Sequence, residues 1–237
     1  MYNLHMKTYY KILLLPLFFL CLQNIHSFDF QLTEANVEAT LGGNYTRGSH
    51  FLGEIAGIGT VEFDNLLGFT AGFSIGRTLV DTDINAFAGV RYTPFKTLPI
   101  SFSLKYIYNG FPEYEAHTSS IIPYVSYDAR IAGVSLGMNF RFSSHFFEEA
   151  QFETVLSFYG YFNFINNDRI LIGIGAGNLK EFHANNMGGI SLNVYAQIPV
   201  ADNLSIVSDI EYMQSGMDGL TATLYKMAFK TGVKISW

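Results

Sequence analysis

The chain has 237 residues, 49% of them hydrophobic, 16% aromatic and 14% charged, a charged fraction far below the quarter or so of ordinary soluble domains. That excludes disorder, and the single long apolar run, residues 12–22, is too short for the roughly 20 residues of a spanning helix, which excludes a helical membrane protein. With 14 basic against 20 acidic residues, a nucleic-acid partner is excluded as well, since phosphate recognition needs excess cations.

Residues 1–27 read as an export leader. Lys7 and Lys11 precede the run ILLLPLFFLCL, and the more polar Gln23 to Ser27 follows it, the layout of a signal peptide cut near Ser27. Cys21 as a lipidation site is the rival reading, weakened because Leu20 stands where a small residue is expected. Removing the leader leaves 12 basic residues against 20 acidic, a formal charge of −8, and no cysteine. Disulfides and thiolate chemistry therefore play no part in residues 28–237.

From Phe28 onward, apolar residues recur at every second position, the period of strands whose successive side chains point to opposite faces. In chain order such faces are Leu67, Phe69, Ala71, Phe73 and Ile75; Ile84, Ala86, Ala88, Val90 and Tyr92; Ile100, Phe102, Leu104, Tyr106 and Tyr108. Then follow Phe152, Leu156, Phe158, Phe162 and Phe164; Ile190, Leu192, Val194, Ala196 and Ile198; and Tyr225, Met227, Phe229, Val233, Ile235 and Trp237, opposed by Lys226, Lys230 and Lys234. Runs of about 10 to 15 residues exceed the usual soluble strand of about 5 to 6 and match a tilted strand crossing a bilayer.

Short turns are expected at Asp64-Asn65, Lys96 to Pro99, Asn166 to Asp168 and Val200 to Asn203. Longer connections are expected at Arg47 to Leu52, Val80 to Asp83, Pro112 to Ser120, Ser143 to Glu149, Leu179 to Met187 and Gly216 to Ala222. With a further break around Asp128, the count is twelve; without it ten follow, and eight is a more distant alternative. The predicted fold is all-β, a transmembrane antiparallel up-and-down barrel filling residues 28–237 as one domain.

The chain ends in Phe229-Lys-Thr-Gly-Val-Lys-Ile-Ser-Trp237, with Phe229, Val233, Ile235 and Trp237 on one face and Thr231 departing from the pattern. This resembles the terminal strand of bacterial outer-membrane β-barrel proteins, and leader, alternation and aromatic faces extend the resemblance along the chain. The resemblance implies an exported, porin-like barrel in the bacterial outer membrane. Its partners would be outer-membrane lipid, the assembly machinery that reads the final aromatic, and small solutes.

Alternation then assigns an interior. Acids Glu38, Glu54, Glu62, Asp83, Asp128, Glu153, Asp209 and Glu211 and bases Arg91, Lys105, Arg130, Arg141, Arg169, Lys226, Lys230 and Lys234 carry the polar parity, eight against eight. Asp209 and Glu211 are expected to pair with the tier of Lys226, Lys230 and Lys234 on the next strand. Tyr106, Tyr108, Tyr159, Tyr161, Tyr195, Tyr212 and Tyr225 are read as interfacial girdles.

The function expected is a narrow channel for small solutes or a structural barrel. A surface adhesin is the alternative from another class, although connections of about 6 to 11 residues are short for one and too short for a folded plug. A lipid hydrolase is weaker: His117-Thr118-Ser119 has His-x-Ser spacing, but Arg130, Ile131 and Ala132 offer no orienting third member. His50, His117, His145 and His183 are expected in connections without ligand spacing, so neither metal nor cofactor is expected. Leu171 to Gly177 (LIGIGAG) lacks the Lys-Ser/Thr of a phosphate loop and reads as inward glycines making room for bulky neighbours.

Overall fold

The computed structural model describes residues 30–45, 49–63, 66–77, 82–95, 97–145, 148–182, 184, 189–215 and 223–237. The leader at residues 1–27, with Cys21, lies outside the described residues.

Twelve strands follow one another: β1 (Phe30–Tyr45), β2 (Ser49–Phe63), β3 (Leu67–Arg77), β4 (Thr82–Tyr92), β5 (Ile100–Phe111) and β6 (Ala116–Asp128). They continue as β7 (Ala132–His145), β8 (Glu148–Asn167), β9 (Ile170–Gly177), β10 (Gly189–Ala201), β11 (Leu204–Ser215) and β12 (Thr223–Ser236). A single 3-10 turn, Pro112–Tyr114, joins β5 to β6. Each strand pairs antiparallel with its sequence neighbours, and β12 pairs with β1, closing the barrel. The break at Asp128 is real, so the twelve-strand count holds and ten is excluded.

Directly paired residues share a face, so register separates the two surfaces. Inside, Thr40 faces Glu54, Glu54 faces Gly76, and Gly76 faces Asp83. Outside, Leu41, Ile55, Phe73, Leu104, Val134, Phe162 and Phe229 all stand exposed. A contiguous apolar belt of this extent far exceeds the few hundred Å² that water tolerates and requires lipid around it.

Both the start of β1 and the end of β12 lie at the end carrying the turns at 93–99, 129–131, 168–169 and 202–203. At the opposite end three connections are shorter than the sequence suggests. Residues 49–52, 116–120 and 143–145 extend strands instead, because Tyr45 pairs with Ser49, Phe111 with Ala116 and His145 with Glu148. The connection 178–188 between β9 and β10 spans eleven residues.

Candidate functional site: the barrel lumen

β9 has only 8 residues, whereas its neighbour β8 has 20, so the wall loses a strand part-way up. The chain leaves the wall at Gly177, whose φ of +157° no other residue adopts without strain; a Cβ there would also lie 2.7 Å from Tyr159 Cα. Asn178, fully buried, takes over the abandoned ladder. Phe158 N–H donates to its Oδ1 at 2.8 Å, its Nδ2 donates to the Leu156 carbonyl at 2.7 Å, and its own N–H donates to the Phe158 carbonyl at 3.0 Å. One side-chain amide thus completes the edge that β9 abandons, as buried backbone groups require.

Beyond Asn178 the segment turns inward. Leu179, Phe182 and Ala184 are buried against Phe87, Ile107 and Ile122, which β4, β5 and β6 present to the lumen. Phe182 meets Phe87 edge-on, with centroids 5.3 Å apart. Asn109 Nδ2 donates to the Phe182 carbonyl at 2.6 Å and to Asn85 Oδ1 at 2.8 Å. Lys105 lies 4.3 Å over the Phe87 ring and donates to the Lys180 carbonyl at 3.4 Å. Lys180 forms an ion pair of 2.7 Å with Glu211 on β11. Leu179 to Met187, expected as an outer connection, therefore begins inside the barrel, with Leu179, Phe182 and Ala184 buried there. The signal was present in the sequence: Phe87, Ile107 and Ile122 are apolar on the polar parity and need a cover in the lumen.

Beside this segment the described residues enclose open space. A cavity of about 380 Å³ lies between this segment and the wall made by β9 to β12, β1 and β2, lined by Glu38, Glu54, Glu181, Asp209, Lys230 and Tyr195, among others. Lys230 pairs with Glu54 by reaching across β1 at Gly42, opposite which it sits in register. Asp209 faces Lys230 in the ladder and accepts a hydrogen bond from Asn193 Nδ2 at 3.0 Å. The expected tier of Asp209 and Glu211 against the lysines of β12 thus forms only in register. Among the described ion pairs, Lys230 chooses Glu54 and Glu211 chooses Lys180, because Ala228 stands opposite Glu211.

Other expected lumen charges are dispersed. Arg91 pairs with Glu62 near the turn-bearing end. Arg141 and Glu153 face one another across β7 and β8. Lys234 stands opposite Glu38, and Lys226 is paired with Met213. Arg169 is no strand residue; it is exposed in the two-residue turn after β8, where its N–H donates to Asn167 Oδ1 at 2.9 Å. Asp128 and Arg130 are likewise exposed at the β6–β7 turn.

The tyrosines divide. Tyr106, Tyr108 and Tyr212 face outward, as girdles require, whereas Tyr159, Tyr161 and Tyr195 share the inward register of Ser135, Gly133 and Asp209. The LIGIGAG glycines make the room they need. A Cβ on Gly173 would lie 2.5 Å from the Tyr195 hydroxyl, one on Gly175 would collide with that of Tyr159, and one on Gly133 with the Tyr161 ring.

On the outer face, Phe229, Val233 and Trp237 are exposed, and Trp237 N–H donates to the Ala35 carbonyl at 2.8 Å, sealing the β12–β1 seam. Ile235 shares that parity with partial exposure. Histidines are not confined to connections: His50, His117 and His145 lie in β2, β6 and β7, and His183 lies outside the described residues. The His117 ring stacks on Tyr108 at 5.9 Å, while Ser119 Oγ shares a 3.1 Å hydrogen bond with the Tyr106 hydroxyl. Among the described residues no cluster of metal-ligating side chains occurs.

No protein-family model matches the chain, and no curated protein matches it. Solved structures do. The KdgM porin in complex with disordered oligogalacturonate aligns with a TM-score of 0.53 at 11% identity, over 84% of this chain and 99% of that one. The NanC porin aligns with a TM-score of 0.54 at 10% identity, over 83% and 98%. The fold is that of outer-membrane β-barrels. Outer membrane phospholipase A from Escherichia coli aligns too, with a TM-score of 0.50 at 4% identity over 85% and 92%, so the same architecture carries both porins and a hydrolase and function must be argued from the site.

Proposed function

We propose that the protein is an outer-membrane channel for small polar solutes, narrowed by residues 178–182 and 184. The carrying observation is the cavity of about 380 Å³ with charged walls beside the inward residues Leu179 and Phe182. Charges on opposed walls of a narrow pore attract solutes without holding them, which is what conduction requires. The selectivity residues on this reading are Glu38, Glu54, Asp209 and Lys230, with Glu181 from the inward segment; Arg91, Lys105, Arg141, Glu153, Glu211 and Lys234 set the field farther along.

Residues 1–27 are the export leader on this reading, and Phe229, Val233, Ile235 and Trp237 are the signal read by the assembly machinery. Replacing Trp237 with Ala is expected to lower the amount of assembled barrel in cells while leaving refolding in detergent unchanged, measured by heat-modifiable electrophoretic mobility. We assign no catalytic role: the hydrogen-bond partner of Ser119 is Tyr106, while His117 stacks on Tyr108. Single-channel recording in planar bilayers tests the reading. Reproducible conductance steps support it, and silence from folded, heat-modifiable protein refutes it.

A further inference from the structure

Resting on the channel reading, and deepening it, we propose that the inner wall of β8, β9 and β10 is a stacking track for uncharged saccharides. Tyr159, Tyr161 and Tyr195 are all partly exposed on this wall, and each leans across a neighbouring glycine: Tyr159 over Gly175, Tyr195 over Gly173, Tyr161 over Gly133. Tyr195 lines the cavity and Tyr161 stands partly exposed on the same wall, whereas Tyr159 packs against the buried cluster of the inward segment and bounds the track on that side. Tyr159 and Tyr161 are two residues apart on β8, about 7 Å along the strand, and Tyr195 enters from β10 at the level of Asn163.

The ring orientations are fixed in advance. Tyr195 donates to Asn163 Oδ1 at 2.7 Å and Tyr159 to Asn193 Oδ1 at 3.3 Å, while Tyr161 donates to the Ala129 carbonyl at 2.9 Å and to Asp128. Such anchoring removes the ordering cost that a mobile aromatic would bring to binding. A sugar ring matches this surface, because its C–H face stacks on an aromatic face while its hydroxyl edge meets carboxylate, amide and phenol groups. Charge narrows the class further. Among the described residues that line the cavity beside the track, Glu38, Glu54, Glu181 and Asp209 outnumber the one cation, Lys230, which repels anionic sugars.

Calorimetry on the folded full chain in detergent, with maltotriose and trigalacturonate as probes, tests this. Maltotriose is expected to bind, trigalacturonate at least about tenfold more weakly. Tyr195→Ala is expected to lower maltotriose affinity about three- to tenfold, the scale of one aromatic contact, whereas Tyr195→Phe keeps most of it. Tyr161→Ala, which disturbs a different part of the wall, provides the same readout where Tyr195→Ala does not fold by heat-modifiability. Absence of maltotriose binding, equal binding of the two probes, or unchanged affinity in the folded alanine variants would each overturn the track. Conductance steps without sugar binding leave the channel and remove the track; sugar binding to a silent barrel does the reverse.

Discussion

The two sides of the lumen are built to opposite rules. On the β4–β6 side, Phe87, Ile107 and Ile122 point inward and are covered by Leu179 and Phe182, so this half is packed like a protein core. On the side running from β9 through β12 to β2, Glu38, Glu54, Asp209 and Lys230 line open space. Inward parity therefore does not dictate polarity. What dictates it is whether the position meets water or chain: where Leu179, Phe182 and Ala184 lie against the wall, apolar groups are favourable, and elsewhere they are not.

The largest expected effect comes from erasing the packed side. Replacing both Leu179 and Phe182 with Ser removes the apolar contacts that hold the segment, each worth about 1.5–3 kcal/mol. Conductance should then rise several-fold over the parent protein, with more flickering between levels. Unchanged conductance in planar bilayers would mean that the packed half does not narrow the pathway, and the distinction between the two sides would lose its functional sense.

How much of this could be read beforehand follows the same division. Twelve strands, the Asp128 break and the outward belt were legible because lipid imposes one rule on every exterior position, and Phe73, Leu104 and Phe229 obey it. Lumen contents obey no such rule. Alternation gives Lys230 and Asp209 the polar parity, but the choice of Glu54 as partner depends on Gly42 letting a lysine cross β1, a three-strand relation that alternation does not contain. The inward turn depends on β9 being shorter than β8 and on Asn178 imitating a strand residue, and neither leaves a periodic trace. Phe87 and Ile107 were the available clue, two apolar residues on the wrong parity of adjacent strands and paired with each other.

A smaller effect sharpens the open side. Lys230→Met leaves Glu54 and Asp209 without the cation that they face, so ion preference should move toward cations, read as reversal potential in a salt gradient. Glu54→Gln should move it the other way. Because both side chains of the pair are about one-fifth exposed (24% and 17%), breaking it by removing one partner should also lower stability by about 2 kcal/mol. A reversal potential indifferent to both changes would take the pair out of the solute path.

Glycine substitutions separate wall positions that carry a ring from those that do not. Gly175→Ala drives a methyl group into the Tyr159 hydroxyl, an overpacking expected to cost about 1–3 kcal/mol in urea unfolding from lipid vesicles. Gly59→Ala meets nothing within 4 Å and should be neutral or stabilising by about 0.4–1 kcal/mol. Equal responses at the two sites would mean that the tyrosines do not lie on the glycines.

The smallest effect concerns the rim above the packed side. Glu113, in the 3-10 turn between β5 and β6, accepts the Thr82 N–H at 3.0 Å, tying that turn to the first residue of β4. The hydrogen bonds with Thr82 hold the Glu113 carboxyl below the ordinary glutamate range. A carboxyl whose folded value is lowered contributes above its unfolded value, about 4.3, and loses that contribution as pH falls through the lowered one. Hydrogen-exchange protection of the Thr82 amide, corrected for the intrinsic rate, should therefore decline on acidification in the parent and stay flat in Glu113→Gln. Protection that is equally flat in both would show that this rim is held by the strands alone, with the turn contributing nothing to the closure of the packed half.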